Sequence, residues 1–390
     1  MEVSRRNLYS ISFSQFGAAF SGNFIKIFLP FYILKISPYS PQQTLLWIGA
    51  ILASAPFCAA FTSTFWGSLT HRYSPKWLYL RTLLVNTISF FLMGFTTNLY
   101  LLLVLRILMG LMSGSSTIGL IIVSSTSSQE RVSSDIGLFQ ASMTCGQLVG
   151  PLLGSLAAGA LGYRGAFINA SCVLFMSLIF CFFYVTNIPK LPRRDTATRR
   201  KTLDKRVMAC WMLCFAVMIQ LAFLPSVLPQ VFEHFRVEEA MALKWAGVLV
   251  MLYTATAMVG TYLLTLWSRK VGIYRLVILL ASAGILLQGL FVLSQGVIDF
   301  TIMRMIQTGL VAAIFPLTMS IFAKESKGDV IGFLNSARFA GNGLGPMIAT
   351  VLLAFFNLPT LYLFISLITL LALIGFGSIF RHQPVEIDAS

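Results

Sequence analysis

Residues 137–151 of the chain read GLFQASMTCGQLVGP, and residues 332–346 read GFLNSARFAGNGLGP. A constant offset of 195 positions superposes three glycines and the final proline of the two stretches. The same offset places Gln140 on Asn335 and Gln147 on Asn342, so amide matches amide twice. Two stretches that match in this way, one in each half of the chain, predict an internal duplication with two structurally similar halves.

The composition of the chain shows which solvent surrounds those halves. Of its 390 residues, 57% are hydrophobic and 11% are charged, and the mean hydropathy is +0.82. A soluble domain is about one quarter charged. A soluble enzyme, a nucleic-acid-binding protein and a disordered chain are therefore excluded, and the net charge of +15 does not indicate nucleic acid.

Apolar segments separated by charged, Pro, Gly or Asn residues predict twelve membrane spans. Lipid leaves backbone polar groups without partners, and alternating strands of about ten residues are absent, so all spans are expected to be helices. Prolines within spans predict kinks. The fold class is an all-α membrane protein, with spans at 9–33, 44–66, 78–97, 100–122, 135–160, 165–187, 207–231, 245–267, 275–294, 299–323, 331–356 and 361–380.

The basic residues predict the orientation of the spans. With a cytoplasmic N-terminus, twenty Lys and Arg residues fall on the cytoplasmic side, and the opposite side holds four: Lys35, Arg164, Arg236 and Lys244. Cytoplasmic loops carry the excess of Lys and Arg in membrane proteins. Both termini are therefore expected in the cytoplasm, in a multi-pass protein of the cell (inner or plasma) membrane.

One basic loop divides the spans into two groups of six. Residues 188–206 carry eight basic residues and are interpreted as a cytoplasmic linker attracted to anionic lipid, with regulation or partner docking as the alternative. The domains expected are an N-terminal six-helix bundle at 1–187 and a C-terminal one at 207–390. Duplicated six-span halves are typical of transporters, which bind substrate near the membrane midplane between the halves.

On these residues the chain resembles transporters of the Major Facilitator Superfamily, especially the twelve-span drug:proton antiporters. Residues 146–154 fit the antiporter motif of span 5 at Gly146, Gly150, Pro151 and Gly154. Glycines at this spacing allow close helix approach. The second half repeats the motif at Gly341, Gly345 and Pro346. The resemblance implies two pseudo-symmetric bundles, alternating access and no enzymatic activity.

The loop after span 2 resembles the superfamily pattern G-x-L-x-D-R-x-G-R-K. It matches at Gly67, Leu69, Arg72 and Lys76. His71 stands where the family has the aspartate of a cytoplasmic charge latch, so a weaker latch is expected. Arg72 is expected to meet Asp135 or Asp329, at the cytoplasmic starts of spans 5 and 11.

Four ionisable residues fall inside spans, and all are positive: Lys26, Arg106, Arg304 and Arg338. Each costs about 2.5–3.5 kcal/mol at a helix centre, so relief by water, pairing or position is required. Snorkelling to the interface is the alternative, above all for Arg304. The resemblance links Arg106, followed by Gly110, to the element implicated in proton coupling.

Polar faces accompany these charges. Asn335, Arg338 and Asn342 share one helix face. The predicted substrate pathway comprises Asn23, Lys26, Arg106, Gln140, Gln147, Gln220, Arg304, Gln307, Asn335, Arg338 and Asn342. Cationic groups without an embedded carboxylate favour an anion over a cationic drug.

The sequence therefore predicts a secondary active exporter of the antiporter type. Its substrate is a small anionic or amphipathic organic compound, such as a drug, a metabolite or a carboxylate siderophore. The alternatives are an anion importer or exchanger and a lipid flippase. No cofactor or metal is expected, and an ion gradient, in particular of protons, or a solute gradient supplies the energy. The expected partners are the small-molecule substrate and the bilayer, with no nucleic acid, and the chain is expected to be a monomer.

Overall fold

The computed structural model describes residues 2–128, 130–186, 204–322 and 329–380, apart from the side chains of residues 2–4, 63, 64, 239, 240, 329, 331 and 332. The α-helices of the first half are α1 (Glu2–Ile36), α2 (Pro41–Ser68), α3 (Pro75–Met93), α4 (Leu99–Leu111), α5 (Ser115–Thr126) and α6 (Val132–Tyr184). Those of the second half are α7 (Lys205–Ala222), α8 (Leu224–His234), α9 (Glu239–Val271), α10 (Ile273–Leu290), α11 (Val297–Val311), α12 (Ile314–Ile321), α13 (Asp329–Phe355) and α14 (Leu358–Phe380).

The predicted all-helical fold is confirmed, and within the described residues each predicted span lies largely on helix, although α3 ends four residues before the predicted end of span 3. Among the described residues, nine helices are long and apolar enough to cross a membrane. One of them, α6, covers both span 5 and span 6. Its two helical parts meet at a kink at Gly162, whose backbone is not helical (φ 70°). A glycine accepts this left-handed conformation without steric penalty. The predicted turn between the two spans lies at this residue.

Three predicted spans are broken into two helices each. Span 4 is divided into α4 and α5 before Gly114 (φ 126°), span 7 into α7 and α8 at Phe223, and span 10 into α11 and α12 at 312–313. Pro225 and Pro316 follow the latter two breaks. Pro30 and Pro56, where kinks are also predicted, lie inside the continuous helices α1 and α2. No proline marks the break in span 4, so the sequence does not predict this break.

The helices pack into two compact units. Among the described residues, unit 1 comprises 2–39, 50–128, 130–186 and 238–251, and unit 2 comprises 40–49, 204–237, 252–322 and 329–380. Most of the predicted linker lies outside the described residues. Its last residues begin α7, where the Asp204 carboxylate accepts a hydrogen bond from the Arg206 N–H at 3.0 Å. That hydrogen bond lowers the pKa of Asp204.

In unit 1, α6 packs on α1 through the motif glycines. A Cβ atom built on Gly146 would lie 2.6 Å from the carbonyl oxygen of Phe16, and one on Gly150 would lie 2.7 Å from that of Phe20. A Cβ atom on Gly154 would clash with the carbonyl oxygen of Phe24. One glycine therefore faces one α1 carbonyl at each helical turn. The motif is needed because two backbones meet here.

Unit 2 repeats this contact between α13 and α7. A Cβ atom on Gly341 would lie 2.9 Å from the carbonyl oxygen of Phe215, and one on Gly345 would lie 3.2 Å from that of Ile219. The duplication read from the sequence thus has a physical counterpart, since equivalent glycines perform the same packing in both units.

Substitution of Gly150 by alanine is expected to destabilise the protein by roughly 1–3 kcal/mol, because a backbone oxygen cannot move out of the way as a side chain can. Gly159, on the same helix, has no atom within 4 Å of a built Cβ. Gly159→Ala is therefore the matched control, and its better helix propensity predicts equal or higher stability. Thermal unfolding of both purified variants in detergent measures the difference. Equal melting temperatures would contradict the close approach.

Candidate functional site

Unit 1 brings two of the predicted pathway cations near each other. Lys26 lies half-buried on α1, and Arg106 on α4 is 8% exposed. Burial is the larger cost to the Lys26 charge, and repulsion by the charge of Arg106 is the smaller one. Within the described part of the chain neither side chain makes a hydrogen bond or an ion pair, and Nε of Arg106 is buried without a partner. This pair is an uncompensated positive centre.

Three further residues of the predicted pathway lie in unit 1. Gln140 and Gln147 of α6 are half-buried, and their amides bond to none of the described side chains or backbone groups. Asn23, three residues before Lys26, donates from Nδ2 to the Ala19 carbonyl of its own helix at 2.9 Å. Unit 1 therefore contains two side-chain amides, those of Gln140 and Gln147, that have no hydrogen-bond partner among the described residues.

Unit 2 carries an open cation on α13. Arg338 is half-buried, and its guanidinium carbon lies 5.7 Å from the ring centre of Phe315 and 5.2 Å from that of Phe339. Aromatic faces attract the guanidinium without using its N–H donors. Asn335 and Asn342 of the same helix are half-buried, and in the described structure neither amide has a hydrogen-bond partner.

Arg304 of α11 is arranged differently, because it is fully enclosed in unit 2 (0% exposed). Its Nη1 donates to the carbonyl oxygen of Gln220 at 3.0 Å and to Oε1 of Gln307 at 2.6 Å. Its Nη2 donates to the carbonyl oxygen of Leu221 at 3.0 Å. Snorkelling to an interface, the alternative considered for Arg304, does not occur in this arrangement.

The acceptors of Arg304 arise from the break in span 7. Pro225 has no N–H, so the carbonyl of Leu221, four residues earlier, has no helical donor. The guanidinium supplies that donor, and its positive charge lies at the C-terminal end of α7, where the helix dipole favours a cation. Arg304 thus holds a proline-broken helix in place.

The network around Arg304 includes residues that the sequence reading missed. Gln307 donates from Nε2 to Oε1 of Gln288 at 2.6 Å, and Gln288 is fully buried on α10. The ring of Tyr253 lies 5.1 Å from the guanidinium. Gln220 donates to the Gly284 carbonyl at 2.8 Å. A glutamine inside an apolar span was the available signal for Gln288.

Arg81 of α3 holds the break in span 4 in a similar way. Its Nη2 donates to the carbonyl oxygen of Met112 at 3.1 Å, and its guanidinium carbon lies 3.1 Å from the ring centre of Trp66. Trp66 itself donates from Nε1 to the carbonyl of Leu111 at 2.7 Å. Arg81 lies three residues inside predicted span 3, but it is not among the residues of the predicted pathway.

The predicted latch residues are not paired with each other where they are described. Arg72 is exposed, Asp135 is half-buried, and no ion pair joins them. The side chain of Asp329 lies outside the described part. Lys76 donates to the carbonyl oxygen of Phe182 at 2.8 Å, and a Cβ on Gly67 would make ordinary contact with Thr117.

Comparison with known proteins gives one family match and two similar proteins, which cover different shares of the chain. A family model described as Major Facilitator Superfamily matches residues 11–342. The multidrug resistance protein MdtG of Rahnella sp. (strain Y9602) is 23% identical over 94% of this chain and 91% of its own length. The staphyloferrin B transporter of Staphylococcus aureus (strain NCTC 8325 / PS 47) is 28% identical over 54% of this chain and 50% of its own.

A solved structure agrees with the fold. The crystal structure of an auto-inhibited POT family peptide transporter has a TM-score of 0.78 at 12% identity, and the match covers 99% of this chain and 98% of that one. At this identity the likeness shows the fold alone.

Proposed function

Because this chain belongs to the Major Facilitator Superfamily, and is thus a membrane transporter and not an enzyme, we propose that it exports a small organic anion or anionic amphipath. Transport is secondary active and proceeds by alternating access, as an antiporter driven by an ion gradient, in particular of protons, or by a solute gradient. Export is supported by the similarity to proteins named multidrug resistance protein MdtG. The partial similarity to a staphyloferrin B transporter supports a siderophore-like cargo.

The observation that carries the proposed substrate charge is the pair Lys26 and Arg106. Two positive groups that repel each other in a low-dielectric environment stay charged at a cost, unless an anion joins them. No carboxylate meets either one among the described residues. A bound substrate carboxylate, phosphate or sulfonate supplies the missing negative charge and accepts the unused N–H donors.

The proposed pathway keeps the predicted residues that lie outside the hydrogen-bond network of Arg304. It comprises Asn23, Lys26, Arg106, Gln140, Gln147, Asn335, Arg338 and Asn342. Gln220, Arg304 and Gln307 are omitted, because each is at most 1% exposed and engaged in the network at the span 7 break. The motif glycines and prolines, with the loop that contains Gly67 and Arg72, are proposed to serve conformational change.

The proposed arrangement in the membrane follows from the distribution of charge. We assign two six-span halves, 1–187 and 207–390, joined by a cytoplasmic linker at 188–206. The asymmetry of basic residues supports cytoplasmic termini and a location in the cell (inner) membrane. A monomer is proposed, as each chain contains both halves of the duplication.

Transport into inverted membrane vesicles tests the proposal. A panel of fluorescent compounds of similar size is used, with charges of −2, −1, 0 and +1. We expect uptake of the anions at least tenfold faster than uptake of the cation. Acceleration by an imposed pH gradient supports proton antiport, while acceleration only by anion preloaded inside the vesicles supports exchange. Equal uptake of anion and cation would contradict the proposed substrate charge.

A further inference from the structure

Helices α3 and α6 enclose a surface groove within unit 1. The groove has a volume of about 380 Å³, and its walls include Trp77, Leu80, Leu84, Leu178, Phe182 and Phe183. Both helices carry predicted spans, so the groove opens toward the hydrocarbon of the bilayer. The apolar walls match the acyl chain of a lipid.

The position of the groove relative to the bilayer follows from Trp77. This side chain is 55% exposed and lies just before predicted span 3, at the level where exposed tryptophans mark the membrane interface. Leu84 lies eight residues after Lys76 on the same helix, which corresponds to about 12 Å along the axis. The groove therefore runs from the head-group level into the hydrocarbon.

One cation lies at the head-group end, and a second lies further along the groove. Lys76 donates to the carbonyl oxygen of Phe182, and its ammonium nitrogen lies 5.5 Å from the centre of that ring. Arg81 forms part of the groove wall, its Nη2 donates to the carbonyl oxygen of Met112, and its Nε and Nη1 atoms are buried without a hydrogen-bond partner. In the described part of the chain neither residue has an acidic partner, and the groove has no acidic wall residue.

We propose that this groove is a binding site for an anionic phospholipid. One acyl chain lies between α3 and α6, and the phosphate and the negatively charged head group lie beside Lys76. An acyl chain is surrounded by hydrocarbon whether bound or free, so the apolar walls provide shape and little preference. The selectivity for an anionic head group comes from Lys76 at the head-group level, and the positive charge of Arg81 deeper in the wall adds to the attraction. The proposal does not depend on which compound the protein transports.

Native mass spectrometry of the purified full-length protein tests this site, with phosphatidylglycerol and phosphatidylcholine of identical acyl chains as probes. We expect the protein to retain the anionic lipid several-fold more than the zwitterionic one. Lys76→Gln is expected to reduce that preference about fivefold, the effect of one basic residue near an anionic lipid surface. The matched control is Lys270→Gln, an exposed lysine at the end of α9.

Filling the groove tests the acyl-chain part of the site. Leu84→Trp is expected to lower retention of both lipids, while Ile302→Trp, at a 52% exposed position of α11, is expected to leave it unchanged. If Leu84→Trp does not yield folded protein, Leu84→Phe takes its place. Equal retention of both lipids by the unmodified protein would overturn the proposal. So would equal losses in Lys76→Gln and Lys270→Gln.

Discussion

Replacing Lys26 with glutamine is expected to weaken transport of an anionic substrate by about 10- to 150-fold. A hydrogen bond to a charged group contributes about 1.5–3 kcal/mol, and each 1.4 kcal/mol corresponds to a tenfold change in affinity. Glutamine keeps the length of the side chain near that of lysine and removes the charge. The measurement is the concentration dependence of uptake into inverted vesicles, corrected for the amount of protein in the membrane.

The same substitution is expected to leave stability unchanged or higher. Lys26 is half-buried, makes no hydrogen bond to the described residues and lies within reach of the charge of Arg106. An unpaired charge inside a span is costly, and its removal relieves the repulsion. Transport and stability are thus expected to change in opposite directions, which is the behaviour of a residue kept for function.

Two further variants separate charge from other effects. Lys35→Gln removes an exposed lysine from the end of the same helix, and we expect normal transport from it. Lys26→Arg keeps the charge and is expected to retain part of the activity. Normal anion transport by Lys26→Gln would contradict the assignment, and so would a loss of equal size in Lys35→Gln.

The fold was predictable because a segment that crosses lipid must be a long apolar helix, and such segments are visible in the sequence. Twenty consecutive apolar residues indicate a spanning helix. The offset of 195 residues also identified the helix faces at which two backbones approach closely, since Gly150 and Gly345 both pack on the backbone of a neighbouring helix. A glycine needed for close approach has no substitute, so its spacing remains visible in both halves.

The roles of two arginines, Arg304 and Arg81, were less predictable, because each depends on a distant break in a helix. Arg304 and Arg338 look alike in sequence, as arginines near polar residues inside apolar spans. Only the structure reveals that Arg304 bonds to carbonyls near Pro225, roughly eighty residues earlier in the chain. Arg81 likewise reaches a break in another span. Such pairings leave no periodic pattern to read.

Arg304→Met is expected to destabilise the protein by at least about 3 kcal/mol, because each buried acceptor left without a donor costs about 1–3 kcal/mol. Three acceptors lose a donor at once: the carbonyls of Gln220 and Leu221, and Oε1 of Gln307. Methionine fills much of the space and donates nothing. Thermal unfolding in detergent, with the yield of monodisperse protein, measures the loss.

Arg338→Met is the matched control in the same unit. Arg338 contacts aromatic rings and makes no hydrogen bond within the described residues, so its removal is expected to leave the melting temperature nearly unchanged while weakening anion transport. Arg304→Lys is expected to be intermediate in stability, because an ammonium group lacks the planar fork that reaches two carbonyls and an amide together.

The two arginines therefore predict opposite results from one substitution. If Arg304 holds the break in span 7, Arg304→Met lowers stability, and Arg338→Met lowers transport of folded protein. If Arg304 instead lines the pathway, as the sequence alone suggested, Arg304→Met remains as stable as the unmodified protein and fails only in transport. Because a carbonyl four residues before a proline needs a donor from elsewhere, we expect the first result.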